Sequence, residues 1–375
     1  MISDIKFQTL NKTRIFRQSG KAKPKIRPQV IYPVYIKTTM KTPKIAITYN
    51  LKRLTKDSSL RTNDAEAEFD SPKTIHAIRT AIEALGYEAI ALEANPELAH
   101  ELRKERVDIV FNIAEGQHGL NREAQVPALL ELMGIIYTGS DSKALTITLD
   151  KGLAKKVVAE AGVPSPRSFL IHDPNNISLK SYDFPFIVKP VSEGSSKGIM
   201  PTSVVHDTEH LYEIVQQNIR RYKQPALVEK FLGGREFTVG ILEDRSCEVL
   251  PPAEIVFLEK NNFPIYCYES KRNGSKNLHL STEPVLTKAQ AAKITDYAKK
   301  AFKALGCRDI ARLDFRMDKK GRLYFLECNP LPGLSPEGSD LCFIARAAGI
   351  SHQELIKRII SPALRRLEQE RRKKI

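Results

Sequence analysis

From Lys44 onward, short apolar runs alternate with longer stretches in which apolar residues recur at helical spacing. The runs KIAITYN, EAIALEA and VDIVFNIA are typical of buried strands, and the stretches between them are typical of amphipathic helices. Ser71 is placed to cap the first helix, while Gly86 and Gly134 are placed to end the first and third. Strands and helices that alternate in this way predict parallel βαβ units, and therefore an N-terminal α/β domain over residues 44–138.

The pattern changes in the second half of the chain, where the strands lengthen and alternate polar with apolar residues. FIVKPVSEGSSKGIMPTS reads as a strand, a Gly/Ser loop and a strand, and a helix and the strand PALVEKFL follow. From Arg235, alternating strands lead to a hairpin at 311–329, with the helix TKAQAAKITDYAKKAFKALG between them. We therefore predict a small central α+β lid domain at 139–232 and a C-terminal α+β domain with an antiparallel sheet at 233–364.

The net charge of +15 is concentrated at the two ends of the chain. Residues 1–44 contain eleven Lys and Arg against Asp4 alone, and RRLEQERRKKI at 365–375 contains six against two. The remainder is about neutral, and charge confined to chain ends is typical of solvated segments. We predict a disordered basic extension at 1–43 and a basic tail at 365–375. No basic patch is interleaved with aromatic residues, so specific nucleic-acid binding is not expected.

Three interpretations of the first 39 residues stay open: a flexible tail, a targeting segment such as a transit peptide, or sequence upstream of a start at Met40. No apolar run approaches the roughly 20 residues of a membrane span, so membrane association is not expected. The five cysteines lie far apart without a C-x-x-C pair, which favours a reducing compartment over a disulfide framework or zinc site. A cytoplasmic location is therefore predicted.

The stretch RLDFRMDKKGRLYFLECNP predicts a hairpin with an unusual polar face. Arg312, Asp314 and Arg316 alternate with apolar residues on the first strand, and Glu327 and Asn329 share a face of the second. Two carboxylates and an amide at one end of a hairpin suit Mg²⁺ bound with a phosphate substrate. The alternative is a solvated face on which the arginines pair with the acids. The Pro- and Gly-rich loop NPLPGLSPEGSD favours a binding site.

Two further segments have the chemistry of a nucleotide site. Lys189 ends an apolar strand, where an ammonium group is costly unless it meets an anion. The loop at 193–198 offers backbone N–H groups and hydroxyls to phosphates, although neither a Walker A nor a G-x-G-x-x-G motif is present. Glu229 and Glu236 flank a bend at Gly233 and Gly234, which is either a nucleotide-binding linker or a plain interdomain hinge.

Together these segments resemble the ATP-grasp fold and, within it, the D-alanine–D-alanine ligase family. The resemblance covers roughly residues 44–362 and rests on LLELMGIIYTGSD, LDK, FIVKPVSEGSSKG, LVEKFLGGREFTVGIL, YESK, ALGCRDIARLDFRMD, FLECNPLPGL and ARAAGISHQELIKRII. It implies a three-domain ATP-grasp enzyme that joins a carboxylate to an amine through an acyl phosphate and releases ADP and phosphate. It also implies small amino-acid or peptide substrates, and homodimers are common in the family.

The resemblance assigns roles to the residues that match the family's motifs. Phosphates, adenine and ribose of ATP would be held by Lys151, Lys189, Glu193, Ser195, Ser196, Glu229, Lys230, Phe231, Leu232, Glu236 and Lys271. Two Mg²⁺ ions, or Mn²⁺ as a substitute, would be held by Asp314, Glu327 and Asn329. Catalysis would involve Arg312, Ser195, Lys271, Gly333 and Glu66. The amino-acid substrates would be bound by Glu66, Arg272, Arg312, Gly333 and Ser339, and Glu68 is a close rival to Glu66.

The sequence departs from the family's pattern near the amino-acid pockets. The glycine-rich turn after the first strand is missing, and Glu115-Gly116 stands in place of the usual His-Gly. Arg272 stands in place of a tyrosine, and Asp340 in place of an apolar residue. A ligase acting on D-alanine and one acting on other amino acids or a small peptide both stay open. The remaining alternatives are a non-catalytic nucleotide-binding relative and, third, a basic nucleic-acid-binding protein.

Overall fold

The computed structural model describes residues 42–53, 66–177, 183–258, 264–266 and 278–373. Residues from 43 onward belong to one compact unit, Pro43–Ile375. The predictions for Lys271, Arg272 and the N-terminal extension 1–41 lie outside the described residues.

The described helices and strands follow the alternation expected from the sequence. The helices are α1 Pro72–Glu83, α2 Leu98–Glu105, α3 Gln125–Met133, α4 Ser142–Leu149, α5 Lys151–Glu160, α6 Thr208–Tyr222, α7 Lys288–Ala304, α8 Asp340–Ala347 and α9 His352–Lys373. The strands are β1 Lys44–Tyr49, β2 Glu88–Glu93, β3 Ile109–Asn112, β4 Ile136–Tyr137, β5 Ser168–Ile171, β6 Phe186–Pro190, β7 Val204–Val205, β8 Ala226–Lys230, β9 Glu236–Glu243, β10 Cys247–Val249, β11 Ala253–Phe257, β12 Leu278–Ser281, β13 Ile310–Met317 and β14 Leu323–Asn329.

The first sheet is parallel throughout, in the order β2-β1-β3-β4, as the βαβ pattern predicts. Its strands β1 and β3 are buried because α1 and the C-terminal helix α9 contribute to one apolar cluster with them. Ser71 caps α1 by accepting a hydrogen bond from the backbone N–H of Thr74, as predicted. The N-terminal α/β layer is therefore completed by a helix from the far end of the chain.

The other two sheets are antiparallel, which confirms the predicted change of pattern. The central sheet has the order β5-β8-β6-β7 and packs α6 on one face. The C-terminal sheet has the order β12-β11-β9-β13-β14, with β10 paired to β9. Helix α4 was not predicted, although Asp141 caps it through a hydrogen bond from the N–H of Ala144. Its segment SKALTITL is rich in β-branched residues, which weakens the helical pattern.

The hairpin of β13 and β14 contains a bulge that the sequence pattern did not predict. Leu313 lies opposite Cys328 and Asp314 opposite Glu327, but Phe315 lies opposite Phe325, so Leu326 is skipped. We expected side chains of β14 to alternate strictly between its two faces, and this is wrong at Leu326, where the register shifts by one residue. A bulge re-aims side chains, and here both Leu326 and Glu327 line the same cleft.

The C-terminal basic segment is helical where we expected a solvated tail. Helix α9 continues to Lys373, and Arg366 donates two hydrogen bonds to the buried carboxylate of Asp309 at 2.7 and 2.8 Å. Arg371 bonds the carboxylate of Asp108 at 2.6 Å. The basic charge of this segment thus pairs with acids of the protein body. Within the described part of the chain, no helix has the length and hydrophobicity needed to span a lipid bilayer.

Candidate active site

Two cavities meet at the polar end of the β13–β14 hairpin. The larger, about 690 Å³, is lined by the segment 66–71, the Gly/Ser loop and the loop that follows Asn329. The smaller, about 80 Å³, lies between the central and C-terminal sheets. Arg312, Asp340 and Tyr266 line both. A group transferred between molecules in the two cavities would therefore pass Arg312.

The hairpin brings the predicted magnesium ligands together. Asp314 lies opposite Glu327 and Arg312 opposite Asn329 in the strand register. The amide of Asn329 and the guanidinium of Arg312 both donate to Asp314, each at 3.1 Å from its Oδ2. The ammonium of Lys151 lies 3.4 Å from the Glu327 carboxylate. Two carboxylates and one amide form a set of hard oxygen donors, and this set fits Mg²⁺.

The predicted nucleotide residues converge on the smaller cavity, which is lined by Lys189, Ser196, Glu229, Lys230, Phe231, Leu232 and Glu236. Lys189 meets the anion expected for it, because its ammonium lies 2.8 Å from the buried carboxylate of Glu229. Lys155, which the sequence analysis missed, binds the other oxygen of that carboxylate at 2.6 Å. Burial favours neutral Glu229, but the two ammonium groups outweigh it and lower its pKa. Lys155 follows Lys151 by one helical turn and therefore lies on the same helix face, and this spacing could have identified Lys155 as a site residue.

Arg316, to which the sequence assigned no role, is a buried residue that lines the smaller cavity. It is 5% exposed and donates a hydrogen bond of 2.9 Å to the carboxylate of Glu236, the predicted ribose ligand. Its guanidinium also lies over the rings of Phe231 and Phe257, 4.9 and 5.7 Å from their centres. Burial is the main cause of a raised pKa at Glu236, and the Arg316 charge opposes it. Arg316 therefore holds the Glu236 carboxylate in position and favours its charged form.

The Gly/Ser loop is tied to the N-terminal domain by Glu68. This carboxylate accepts hydrogen bonds from Arg122 at 2.8 and 2.9 Å, from Lys197 at 3.2 Å and from the N–H of Gly194 at 2.7 Å. A Cβ on Gly194 would lie only 2.3 Å from Glu68 Oε1, so the close approach requires glycine. Burial raises the pKa of Glu68, but the neighbouring cations outweigh it and lower the value. Glu68 thus holds the Gly/Ser loop in place.

Glu66, its rival, faces the larger cavity and accepts a hydrogen bond from the N–H of Arg53 at 2.8 Å. Glu193, Ser195, Gly333 and Ser339 line the same cavity. The hydroxyl of Ser339 accepts a hydrogen bond from the N–H of Ser335 at 2.9 Å, which closes the loop around Gly333. The described residues predicted for the amino-acid substrates therefore share one cavity with Arg312.

Arg122 and Glu123, which were not predicted as site residues, form a short 3-10 turn with Ala124. Both are buried. Their only signal was a pair of charged residues, NREAQ, placed directly before an apolar helix.

Comparisons with known proteins agree with this geometry. The profile described as D-ala D-ala ligase C-terminus matches residues 170–361. A D-alanine–D-alanine ligase from Aquifex aeolicus is 34% identical over 293 residues, covering 78% of this chain and 94% of the relative. A D-alanine–D-alanine ligase from Syntrophotalea carbinolica is 35% identical over 293 residues, covering 78% and 91%.

The chain belongs to the D-alanine–D-alanine ligase family. The crystal structure of the D-alanine–D-alanine ligase from Bacillus anthracis complexed with ATP has the same fold, with a TM-score of 0.66 and 22% identity, covering 88% of this chain and all of that one. The VanG D-Ala:D-Ser ligase from Enterococcus faecalis gives a TM-score of 0.64 at 19% identity, covering 86% and 100%. These matches confirm the ATP-grasp fold. As a family member, the chain is an ATP-dependent ligase that forms carbon–nitrogen bonds.

Proposed function

We propose that the protein joins the carboxylate of one amino acid to the amine of a second, and forms a peptide bond through an acyl phosphate. The observation that supports this most directly is the complete set of Arg312, Asp314, Glu327 and Asn329 on one hairpin. Arg312 lines both cavities, Asp314 and Glu327 line the smaller, and Asn329 lines the larger. A nucleotide-binding relative without activity would not need these groups in one place. ATP occupies the smaller cavity in this proposal, and the amino acids occupy the larger one.

In the first step, the substrate carboxylate attacks the γ-phosphorus of ATP, which gives an acyl phosphate and ADP. Phosphoryl transfer depends mainly on positioning and charge neutralisation. Lys151 and Lys189 supply positive charge, while Asp314, Glu327 and Asn329 would hold the magnesium ions. Mg²⁺ held there would neutralise the charge of the phosphates while the γ-phosphoryl group is transferred. The role proposed for Lys271 is to add a further positive charge at the γ-phosphate.

In the second step, the amine of the acceptor attacks the acyl carbon and phosphate leaves. Arg312 and the N–H of Gly333 stabilise the tetrahedral oxyanion, and losing one such donor typically costs about 10²–10³ in rate. Ser339 is proposed to bind the acceptor's carboxylate, and Glu66 the ammonium group of the first substrate. The acyl phosphate reacts readily with water, so the loop at 193–198 has to exclude it. Glu68 holds that loop by its Gly194 N–H and Lys197.

D-alanine is one candidate for both substrates, since many relatives are D-alanine–D-alanine ligases. A D-alanyl-D-alanine product would supply peptidoglycan synthesis in the cytoplasm. A different amino acid is the second candidate, because Glu115 and Asp340 place acidic groups on the wall of the larger cavity. Both candidates use the same steps and the same residues.

The test measures ADP release with D- and L-amino acids, singly and in pairs, and identifies products by mass. Asp314→Asn should leave folding intact and lower turnover by more than about 100-fold. Loss of an outer-shell partner of a metal costs up to about 100-fold, and loss of a direct ligand should cost more. Asp318→Asn, in the turn of the same hairpin, is the matched control and should keep full activity. Full turnover in Asp314→Asn would refute the metal assignment. ATP binding without ADP release from any pair would refute ligation of these substrates.

A further inference from the structure

The wall of the larger cavity includes carboxylates for which no ion pair is found among the described residues. Asp70, Glu115 and Glu123 all line this cavity. Glu123 is 7% exposed, and no hydrogen bond to its carboxylate is found in the described parts of the chain. A buried carboxylate normally has hydrogen-bond donors, because without them its charge is strongly destabilised. Glu123 is therefore a buried acceptor that faces a cavity and has no donor within the described ranges.

The cations around these carboxylates are already bound to other acids. Lys151, whose charge acts on Glu123, lies 3.4 Å from the Glu327 carboxylate. Arg122 and Lys197 both contact Glu68 and Glu193, at 2.8 to 3.4 Å for Arg122 and at 3.2 and 2.5 Å for Lys197. Two cations thus neutralise two carboxylates. The charges of Glu115 and Glu123 remain without a bonded cation in the described structure.

The local fold fixes these two carboxylates at short range. Gly116 adopts a φ of +76°, and a Cβ on it would lie 2.2 Å from the carbonyl oxygen of Arg122. Only glycine permits this contact between the loop that carries Glu115 and the turn that carries Glu123. One carboxylate oxygen from each of Glu68, Glu115 and Glu123 lies within 4.8 Å of the other two. An ammonium nitrogen about 2.8 Å from two oxygens fits between oxygens at this separation.

The electrostatics of this pair also favour a cationic ligand. Burial, with the neighbouring carboxylates, raises the pKa of Glu123 to about 8 and that of Glu115 well above its usual range. Titratable groups perturbed in this way within a cleft are typical of functional sites. A divalent metal fits less well than an ammonium, because Glu68 already accepts bonds from Arg122, Lys197 and Gly194, and two cations lie beside it.

We propose that Glu115 and Glu123 form a subsite for a second ammonium group, so that the first substrate is a diamino acid such as lysine or ornithine. This inference rests on the proposed ligase function. The α-ammonium of that substrate meets Glu66, its carboxylate faces Arg312, and its side-chain ammonium enters between Glu115 and Glu123. A cavity of about 690 Å³ lies within the range of pockets that hold ligands much larger than two alanines.

The test compares lysine with norleucine, which has the same side-chain length but no ammonium, in both enantiomers and with a panel of amine acceptors. Lysine should be preferred in kcat/KM by at least about 30-fold, as expected when a buried charge loses its partner. Glu123→Gln and Glu115→Gln should each remove this preference by lowering kcat/KM for lysine and leaving that for norleucine. Glu97→Gln, an exposed acid without a side-chain capping bond, is the matched control and should retain the preference.

Calorimetric titration of lysine into the ATP-free protein separates the subsite from the reaction. Lysine binding that Glu123→Gln abolishes supports the subsite even if no ligation occurs, and the absence of ligation then refutes only the proposed function. Ligation with equal preference for lysine and norleucine refutes the subsite and leaves the function standing. An equal loss of kcat/KM for lysine and norleucine in Glu123→Gln and Glu115→Gln also refutes the subsite. Tight binding of Mn²⁺ or Zn²⁺ alone that depends on Glu123 refutes it as well. If one variant fails to fold, the other carries the test.

Discussion

Replacing Arg316 with methionine tests whether this buried arginine maintains the nucleotide site. The guanidinium donates to the Glu236 carboxylate at 2.9 Å, to the carbonyl oxygen of Pro264 at 2.7 Å and to that of Gly234 at 3.3 Å. Methionine retains the apolar stem between the aromatic rings but leaves Glu236 buried without its cation. The substitution thus removes one partner of a buried pair and retains most of the packing.

Breaking a buried ion pair in this way typically costs about 3–5 kcal/mol in the free energy of unfolding. Arg316→Met should show a loss of this size, and the KM for ATP should rise because the Glu236 carboxylate is no longer held towards the ribose. Arg316→Lys should recover only part of both, since an ammonium cannot supply the planar fork that reaches three acceptors. The double variant Glu236→Gln/Arg316→Met should be more stable than Arg316→Met alone, because no unpaired charge remains.

The measurements are urea unfolding followed by circular dichroism and initial rates of ADP release over a range of ATP concentrations. Arg322→Met is the matched control, because Arg322 lies on the same hairpin but is 66% exposed and pairs with Asp318 at the surface. Exposed pairs contribute about 0–1 kcal/mol, so this control should be nearly neutral. An equal loss in both variants, or a double variant no more stable than Arg316→Met, would show that the reasoning is wrong.

Two further predictions concern the larger cavity. Gly194→Ala should displace the loop, because its Cβ would lie 2.3 Å from Glu68 Oε1. The KM for ATP should rise, and more ATP should be hydrolysed without peptide formation. An unchanged ratio of ADP released to peptide formed would contradict this. Burial raises the pKa of Asp70 from 3.8 to about 7. The folded protein therefore binds the proton of Asp70 more tightly than the unfolded chain does. The resulting stabilisation, on the order of 4 kcal/mol, is present at low pH and is lost as the pH rises from about 4 to about 7. Asp70→Asn should flatten urea-unfolding free energies measured between pH 5 and 8, and an unchanged slope would refute the assignment.

The sequence predicted the fold well because its signals are local. Period-two and helical patterns, with caps such as Ser71, are properties of neighbouring residues, and they located the parallel and antiparallel sheets. The bulge at Leu326 was not predictable, because the skipped residue is apolar and fits either register. The end of helix α9, from residue 365 on, was predicted to be a charged tail, because the acids that pair with Arg366 and Arg371 lie 57 and 263 residues earlier in the chain.

Only part of the candidate site was predicted, because some of its residues have local sequence signals and others are defined by distant contacts. Asp314, Glu327 and Lys189 stood out because a charged residue in a strand or at its end breaks an apolar pattern. The choice between Glu66 and Glu68 could not be made from their spacing, since it depends on the contact of Glu68 with the distant Arg122 and Gly194. Such pairings depend on tertiary structure alone.

The packing of α9 has a consequence for how the protein folds during synthesis. Strands β1 and β3 of the first sheet share their apolar cluster with Leu355, Ile359 and Ile360, from the last helix. When the first sheet leaves the ribosome, α1 covers part of this face, and the rest has no cover until α9 has been translated. Exposed apolar surface of this kind favours aggregation of folding intermediates. The first sheet is therefore completed only after α9 has been made, and loss of α9 would expose its core.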